Sequence, residues 1–437
     1  MTLSRFFYIS AKACYKMLPE FIRLRYRERI LVFLNQLRKI KFKLSNTRYD
    51  LVQSIDALDI PTKLLTSIQN RSSTLGMQTL VSQDGSIKQL PKIEDSTLDV
   101  HLYLFKEITL LGGTDALIKK NKLYHQELLA MEENHDLKRK DVFFLFDKNK
   151  KKEVFLVPYT KKNLDNKNIL YISLLKEHAT NYYHWMTEIM PRAIFSCQTL
   201  KYDNTKMVEG KKIVFLIDEH IPKQCLEALT FCIDLPFTTE VVYKNELLTC
   251  NNLIYCSPFW QSLDNTTGSV PNHKEFFLDM YALRLVHDAV QNKFSQKDSD
   301  KKEPIRKIYL QRKPTQMRSI VNYEEVENFM IQENFEILDT SNLSFIEQVK
   351  LFSEAKIVIG ASGATFTNLL YMQNNTVAIN FYPSHPATNH GIFQPLADVS
   401  GVKLIHYKTI PVDDKSLHSN FMVDLNIIQN ILKDLDI

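Results

Sequence analysis

After residue 304 the chain alternates regularly between short apolar runs and segments with helical periodicity. The apolar runs are typical of buried strands, and the segments between them repeat apolar residues at the spacing of a helix. Successive strand–helix units with short loops specify a parallel sheet with right-handed crossovers, a Rossmann-like domain. Ser344 and Glu347 match an N-terminal capping box at the start of one helix. The predicted strands are 307–311, 335–338, 356–360, 376–382 and 403–407, and the predicted helices are 323–334, 344–355, 364–372, 392–399 and 424–435.

Short β-branched and aromatic runs also recur between residues 100 and 260. Helical stretches at 178–200 and 221–232 fall among them, and a further helix is predicted over 272–295. Continuous apolar runs that alternate with helices favour strands buried in an α/β sheet. These predicted strands lie at 108–111, 142–146, 154–157, 169–173, 213–217, 241–243 and 253–255.

A polar segment over residues 296–304, rich in Lys and Asp, interrupts the hydrophobic pattern and is the best candidate for a domain boundary. The sequence therefore predicts an α/β protein with an N-terminal domain over 96–295 and a C-terminal domain over 305–437. Residues 1–95 would precede them as a basic helical region and a polar, turn-rich connector over 51–95. The length of 437 residues and the hydrophobic content of 44% are ample for two such cores.

The first 50 residues carry an excess of positive charge. They hold 12 Lys and Arg and three acidic residues, a net charge of +9, whereas the remaining residues have a net charge of −4. Apolar residues between 30 and 44 fall on one side of a helical wheel. Such an arm can dock on an anionic membrane surface or pack on the body of the protein. Nucleic-acid binding is disfavoured because no interleaved aromatic platform accompanies the arm.

The six cysteines lie in apolar contexts without C-x-x-C or metal-binding spacing. Reduced, buried thiols in a cytosolic protein are the predicted state. The N-terminus lacks the pattern of a secretory signal, and its longest apolar run, Ile30–Leu34, is too short to span a bilayer. We therefore expect a cytoplasmic protein, with peripheral contact at the inner face of the cell membrane if the arm docks there.

Residues 181–192, Asn-Tyr-Tyr-His-Trp-Met-Thr-Glu-Ile-Met-Pro-Arg, place reactive side chains on a short predicted helix. A His and a carboxylate one turn apart suit proton transfer, and an arginine suits a polar, anionic substrate. A structural His–Glu pair is the alternative, and no metal-binding pattern accompanies the segment. Pro191 predicts a kink or an end of the helix. Asn181, His184 and Glu188 share one helical face, and Trp185, Ile189 and Arg192 form the neighbouring stripe.

A second candidate site follows two predicted strands of the C-terminal domain. The loop 360–368, Gly-Ala-Ser-Gly-Ala-Thr-Phe-Thr-Asn, leaves a strand and opens a helix. Its small residues allow a ligand to approach the backbone, and free N–H groups at the helix start favour an anion. A tight turn that needs glycine explains the same pattern. Arg312, Lys313 and Arg318 follow the first strand and would reach the same edge of the sheet, where arginines suit a pyrophosphate.

Together these motifs resemble the pattern of glycosyltransferase family 61, which includes bacterial capsular polysaccharide biosynthesis proteins. The resemblance implies a GT-B architecture, two Rossmann-like domains with the active site in the cleft between them. It also implies an inverting transferase that uses a nucleotide sugar, typically a UDP-sugar, without an essential metal or other cofactor. The matching residues are, in order, the His-Trp-x-x-Glu-x-x-Pro-Arg segment at 184–192, Arg312, Arg318, residues 344–348 and the loop 360–368.

The resemblance also implies roles for individual residues. Glu188 or His184 would deprotonate an oligosaccharide or polysaccharide acceptor, in the synthesis of a capsule or another surface polysaccharide. The family commonly has His where this chain has Ser362, so an inactive subunit that binds a nucleotide sugar or a glycan is the alternative. Asn181, Trp185 and Arg192 would bind the acceptor or line the cleft. The donor and its diphosphate would be bound by Arg312, Arg318, Gln348, Ser362, Gly363, Ala364, Thr365 and Asn368.

Overall fold

The computed structural model describes ten stretches of the chain. The basic arm predicted over residues 1–50 and the middle of the segment 296–304 fall almost wholly outside them, so those two predictions stay predictions. In the part of the chain that is described, no helix is long and apolar enough to cross a membrane. The stretches are 48–60, 62–130, 143–148, 151–156, 160–202, 208–260, 277–297, 303–312, 318–413 and 418–436.

Strands and helices alternate along most of these residues, which confirms the predicted α/β class. The strands are β1 Arg48–Leu51, β2 Thr62–Ile68, β3 Ser72–Leu75, β4 Gln78–Val81, β5 Ile87–Leu90, β6 Ile93–Ser96, β7 Val100–Leu111, β8 Leu117–Lys119, β9 Lys122–Tyr124, β10 Phe143–Lys148, β11 Lys151–Leu156, β12 Thr160–Leu164, β13 Ile169–Ser173, β14 Lys212–Asp218, β15 Phe237–Val242, β16 Glu246–Cys256, β17 Arg306–Leu310, β18 Glu336–Leu338, β19 Ala355–Ala361, β20 Val377–Pro383, β21 Lys403–Pro411 and β22 Phe421–Met422.

Several short helical turns accompany the longer helices. The α-helices are α1 Gln126–Ala130, α2 Tyr182–His184, α3 Met190–Tyr202, α4 Lys223–Cys232, α5 Met280–Lys297, α6 Tyr323–Gln332, α7 Phe345–Ser353, α8 Gln394–Ser400 and α9 Leu425–Asp434. A π-helical turn covers Trp185–Ile189, and 3₁₀ helices cover Asp56–Leu58, Thr340–Asn342, Ala364–Tyr371 and His390–Phe393.

Five neighbouring strands of the C-terminal sheet run parallel in the order β18–β17–β19–β20–β21. They coincide with the five predicted strands, and the central strand β19 is buried on both faces at Ile357, Val358 and Ile359. From β17 the chain first adds β18 on one side and then returns to add β19 on the other. Ligands of open α/β sheets bind at such a reversal, beyond the carboxyl ends of the strands. The topology therefore predicts a ligand site at the loops after β17 and β19.

The predicted capping box is present at the start of α7. The Ser344 hydroxyl accepts a hydrogen bond from the Glu347 amide, and the Glu347 carboxylate accepts one from the Ser344 amide. Each side chain thereby satisfies a backbone N–H that the first turn of a helix leaves without an intrahelical partner.

The predicted connector over residues 51–95 contains regular structure that the sequence did not indicate. Strand β2 pairs with β7 of the N-terminal sheet, whereas β4 pairs in parallel with β21 of the C-terminal sheet and β5 continues that edge. Strands β4 and β5 have four residues each, two of them apolar, and β5 is mostly exposed. They therefore lack the continuous hydrophobic run on which strand prediction depends.

The N-terminal sheet combines a parallel and an antiparallel part. Strands β15, β14, β13 and β16 are parallel neighbours in that order, and β12 also runs parallel to β16. Strand β7 lies antiparallel to β16 and leads to the remaining strands. The five cysteines in the described ranges are buried, free thiols.

One continuous hydrophobic cluster includes residues from both sheets and from the helices between them. Helix α5 lies at its centre, since it packs on α3 and α4 from the N-terminal half and on α8 and the 3₁₀ helix Ala364–Tyr371 from the C-terminal half. Burial of this shared apolar surface is the main force that holds the two halves together. It also fixes the position of residues 181–192 relative to the loop after β19.

Candidate functional site

The segment 181–192 forms a helix that widens in its middle. Asn181 caps the first turn, because its Oδ1 accepts a hydrogen bond from the Tyr183 amide at 2.9 Å. Helix α2 then passes through the π-helical turn into α3. Turns of this kind inside α-helices are frequent at functional sites.

The helix does not end at Pro191, although an end there was one of the two outcomes that the sequence predicted. Pro191 cannot donate to the carbonyl of Thr187, four residues earlier, and its ring needs space there. The wider π-helical turn supplies that space, and Trp260 Nε1 donates to the Thr187 oxygen at 3.1 Å instead. The helix therefore continues through Pro191 as far as Tyr202.

His184 and Glu188 form the pair that their spacing predicted. His184 Nδ1 lies 2.5 Å from Glu188 Oε1. The side chain of His184 is 18% exposed, whereas that of Glu188 is 4% exposed and lies behind it. A carboxylate only accepts hydrogen bonds, so the proton of this bond belongs to Nδ1, which leaves Nε2 as the ring nitrogen that can accept a proton.

A buried ion cluster lies behind this pair. We use that name for Lys176, His125 and the carboxylates of Asp115, Glu127 and Glu177. His125 Nε2 is 2.9 Å from Glu177 Oε1 and 3.1 Å from Asp115 Oδ1. Lys176 Nζ is 3.6 to 3.8 Å from an oxygen of each of the three carboxylates. All five side chains are 8% exposed or less.

Charges in the cluster stabilise one another. Burial opposes the charge of Lys176, but the surrounding carboxylates, with Asp115 the strongest, raise its pKa above the ordinary value. Burial also opposes the charge of His125, and Glu177 and Asp115 outweigh it and raise the pKa of His125 to about 10. The nearby Asp218 has a pKa raised by burial to about 7. Lys176 is therefore a cation at neutral pH.

Asp115, His125 and Glu177 each offer a ligand atom within 4.8 Å of the others, a spacing at which a metal ion can be held. In the structure, however, His125 Nε2 contacts an oxygen of both carboxylates, and Lys176 Nζ lies 3.6 and 3.7 Å from their second oxygens. A metal ion here would be repelled by the ammonium of Lys176, which already balances the same carboxylates. The contacts therefore define an ion cluster balanced by protein side chains.

Across from His184, the loops after β17 and β19 are joined by a hydrogen bond. Arg312 Nη1 donates to the carbonyl of Ser362 at 2.7 Å, and the Ser362 amide donates to Phe381 at 2.7 Å. Both backbone polar groups of Ser362 thus have partners, so its hydroxyl is the group that can face a ligand. The predicted convergence of Arg312 with the loop 360–368 is therefore present.

Arg318 reaches the same place with an uncommon backbone conformation. Its φ is +55°, in the left-handed region, and its amide donates to the carbonyl of His418 at 3.0 Å. Burial lowers the pKa of both Arg318 and Arg312, and the charge of Arg318 lowers that of Arg312 further. No carboxylate in the described ranges forms an ion pair with either arginine. Two partly buried cations that repel each other favour an anion between them.

A cleft of about 220 Å³ brings the two candidate sites together. Its walls come from the His184 segment, from Arg318 and the loop after β19, and from the chain after β20. The lining residues are Asn181, Tyr183, His184, Arg318, Ser362, Gly363, Ala364, Tyr382, Pro383, Thr388, Asn389, Ile392 and Phe393.

Four of the predicted donor-site residues do not line the cleft: Arg312, Gln348, Thr365 and Asn368. Thr365 contacts Thr340, with 3.3 Å between their hydroxyl oxygens. Asn368 is fully buried, where its Oδ1 accepts from the Tyr182 hydroxyl and its Nδ2 donates to Gln348, both at 2.8 Å. Their binding roles stay predictions, while the observed contacts tie the His184 helix to the helix after β19.

Two of the predicted acceptor-side residues are in the protein interior. Trp185 is fully buried, and Arg192 is 1% exposed. The Arg192 guanidinium donates to the carbonyl of Cys256 at 3.0 Å and to those of Leu175 and Ser173 at 3.3 and 3.4 Å. Arg192 therefore joins its helix to the ends of β13 and β16 and does not line the cleft.

Sequence reasoning missed several residues of the site. Tyr382 and Asn389 line the cleft at the end of β20, and the rule that ligands bind beyond strand ends could have indicated them. Lys176 and Glu177 likewise follow the predicted strand 169–173. Asp115 follows the predicted strand 108–111 in the same way, but nothing in the sequence indicates that Asp115 and His125 lie beside Lys176, because they are far from it along the chain.

Gly360 lies near the end of β19, just before the loop that lines the cleft, and its replacement should destabilise the protein. A Cβ at this position would lie 2.9 Å from Leu310 Cβ in the neighbouring strand. We expect Gly360→Ala to lower the free energy of unfolding by about 1–3 kcal/mol through overpacking, measured by urea denaturation. Gly363→Ala is the matched control, since its Cβ would meet its nearest neighbour at 3.4 Å, an ordinary contact. Equal stability of the two variants would contradict the prediction.

The fold and the cleft define a class: an α/β protein with a candidate ligand cleft at the reversal point of a parallel sheet, lined by His184 and Arg318. Residues 182–379 match the family described as Glycosyltransferase 61. This segment is a glycosyltransferase family 61 domain, and the protein that carries it is a glycosyltransferase. The match confirms the resemblance found in the sequence. A comparison with curated proteins found no match.

Proposed function

We propose that the protein transfers a sugar, with inversion, from a nucleotide-diphosphate donor to a glycan acceptor, with a UDP-sugar as the donor. The observation that carries the proposal is the single cleft that His184 shares with Arg318, Ser362 and Gly363. Inverting transfer needs a base on one side of the sugar and positive charge on the departing diphosphate on the other. The cleft offers one of these on each wall.

His184 is the proton acceptor in this proposal, and Glu188 orients it. Of the two candidates, His184 lines the cleft, while Glu188 is buried behind it. The acceptor hydroxyl gives its proton to Nε2 as its oxygen attacks the anomeric carbon. The imidazolium that forms is stabilised by Glu188, which already bonds to Nδ1.

Arg312, Arg318 and the backbone at 362–365 would bind the diphosphate. Both arginines carry the charge that a leaving diphosphate requires, and the loop approaches the ligand through small residues. We propose on this ground that transfer proceeds without an essential metal ion. Each half would then act as one side of a GT-B cleft, with the donor on the C-terminal half.

The wider role is proposed from the family alone. We propose that the acceptor is a growing capsular or other surface polysaccharide and that the enzyme works in the cytoplasm at the inner face of the membrane. The basic arm over residues 1–50 would provide the membrane contact. Liposomes with and without anionic lipid, tested with the full chain and with a chain lacking residues 1–50, would decide this point.

The test of activity is incubation of the purified full chain with UDP-, GDP- and CMP-sugars and a glycan acceptor. The proposal expects release of a nucleoside diphosphate from one UDP-sugar, together with a product of inverted anomeric configuration by NMR. Binding of a nucleotide sugar without release of nucleotide would instead support the inactive subunit that Ser362 suggested.

Recognition of the diphosphate should depend on Arg318. We expect UDP to raise the melting temperature more than UMP, because binding stabilises the folded state and the second phosphate adds charge-assisted bonds. Arg318→Gln should weaken UDP binding roughly 10- to 100-fold, as expected for loss of 1.5–3 kcal/mol, and leave UMP nearly unaffected. Titration calorimetry measures both ligands. Equal losses for UDP and UMP would place Arg318 away from the second phosphate.

A further inference from the structure

Lys176 lies directly behind the His184–Glu188 pair. Its Nζ is 3.6 Å from Glu188 Oε2, while the other carboxylate oxygen, Oε1, bonds to His184 Nδ1. Lys176 precedes the segment 182–379 that matches the family. It is 5% exposed and does not line the cleft, so it has no direct access to a substrate.

The ion cluster leaves Lys176 little freedom. Its ammonium group faces four carboxylates, those of Asp115, Glu127, Glu177 and Glu188, at 3.6 to 3.8 Å. Its own backbone is also held, because the Lys176 amide donates to Asp218 Oδ2 at 2.9 Å. The carboxylates of Asp115, Glu127 and Glu177 hold the ammonium in place and do not contact His184. The positive charge of the ammonium also lies next to the fourth carboxylate, that of Glu188.

The orientation of the Glu188 carboxylate depends on the positive charge of Lys176. In the part of the chain that the structure describes, Glu188 Oε2 has no hydrogen-bond partner and is buried. A buried carboxylate with one oxygen bonded and the other unbalanced would take up a proton or turn away. The ammonium of Lys176 balances Oε2 and so keeps Oε1 available to His184.

We infer that Lys176 is a positioning residue for the proton acceptor, which holds Glu188 as an oriented carboxylate so that Glu188 holds the ring of His184. The inference rests on the proposed function, in which His184 Nε2 takes the proton of the acceptor hydroxyl. The ion cluster is then the support of the catalytic pair. Lys176 orients Glu188, and Glu188 orients His184. Side chains outside an active site commonly orient a reacting side chain through such a series of contacts.

The kinetic test is a double-mutant cycle of Lys176→Met and Glu188→Gln. Alone, Lys176→Met should lower kcat roughly 10- to 100-fold, the usual cost of an outer positioning residue, with the KM for the donor nearly unchanged. In the Glu188→Gln background it should cost little more, because Lys176 acts through Glu188. Lys176→Arg should restore much of the rate, and Lys223→Met, at an exposed lysine, should have no effect. A loss that adds fully to that of Glu188→Gln overturns the inference.

A second readout is independent of activity. In protein labelled with ¹⁵N-histidine, the short His184–Glu188 bond should give a downfield Nδ1 proton signal, assigned by its loss in His184→Asn. Lys176→Met should move or broaden that signal, and Lys223→Met should leave it in place. If no donor supports transfer, the proposed function fails, while this signal still decides the positioning role.

A second variant covers the case in which Lys176→Met does not fold. Lys176→Gln then replaces it, because its neutral amide can still hydrogen-bond within the ion cluster. The same change in the His184 Nδ1 proton signal is expected. An unchanged His184 signal in a folded, uncharged variant overturns the inference.

Discussion

Replacing His184 with Asn should lower kcat for sugar transfer by about 10²–10⁴-fold, the contribution of a positioned general base. The Asn amide can still donate to Glu188, so the helix and its buried carboxylate keep their hydrogen bond, but no ring nitrogen remains to take the proton. The donor contacts are on the opposite wall of the cleft, so the KM for the donor should change little. Initial rates of nucleotide release measure both constants.

A matched control comes from a second His–carboxylate pair. His287 Nδ1 lies 2.9 Å from Asp288 on α5, outside the cleft, and His287→Asn should leave kcat unchanged. Glu188→Gln should also lose most activity, and the double variant with His184→Asn should be no worse than the poorer single variant, because the two residues act as one unit. Wild-type rates in His184→Asn, with Glu188→Gln inactive, would instead make Glu188 the base.

The C-terminal sheet was predictable because its strands are buried. Continuous apolar runs such as Lys356–Gly360 are visible in the sequence, and the observed strand Ala355–Ala361 differs from that prediction by one residue at each end. The short strands β4 and β5 show the limit of the same rule. Gln78–Val81 has too few apolar residues to form a run, and its place beside β21 is set by long-range pairing that local sequence does not encode.

Part of the candidate site was likewise predictable from the sequence, and part was not. His184, Glu188, Arg312 and Arg318 follow local rules, since helical spacing and strand ends place them. The ion cluster does not, because residues as far apart as Asp115 and Lys176 meet only through the packing of β8, α1 and the chain after β13. The predicted helix at 364–372 is present, but its type was not indicated by the sequence. Ala364–Tyr371 forms a 3₁₀ helix, and eclipsed side chains at i and i+3, Phe366 and Leu369, are buried in the shared core.

Replacing Arg192 with Met should lower the free energy of unfolding by about 3–5 kcal/mol, because each buried acceptor left unsatisfied costs about 1–3 kcal/mol. The change leaves three buried carbonyls, those of Cys256, Leu175 and Ser173, without their donor. Arg192→Lys should lose less, because the charge remains although the planar fork is gone. Urea denaturation followed by tryptophan fluorescence suits this test, since the two tryptophans, Trp185 and Trp260, are both buried nearby.

The expected size of this effect separates two roles for Arg192. If Arg192 bound the acceptor, its removal would raise the KM for the acceptor and change the free energy of unfolding by no more than about 0.5 kcal/mol, as a surface substitution does. Arg284→Met, at an exposed position on α5, is the control for that outcome. The contacts favour the other role. Arg192 fixes the ends of β13 and β16 against α3, and Lys176 lies three residues after β13 ends, so a loss at Arg192 should also disturb the support of Glu188. A drop in kcat in Arg192→Lys that exceeds its drop in acceptor affinity would follow from that connection.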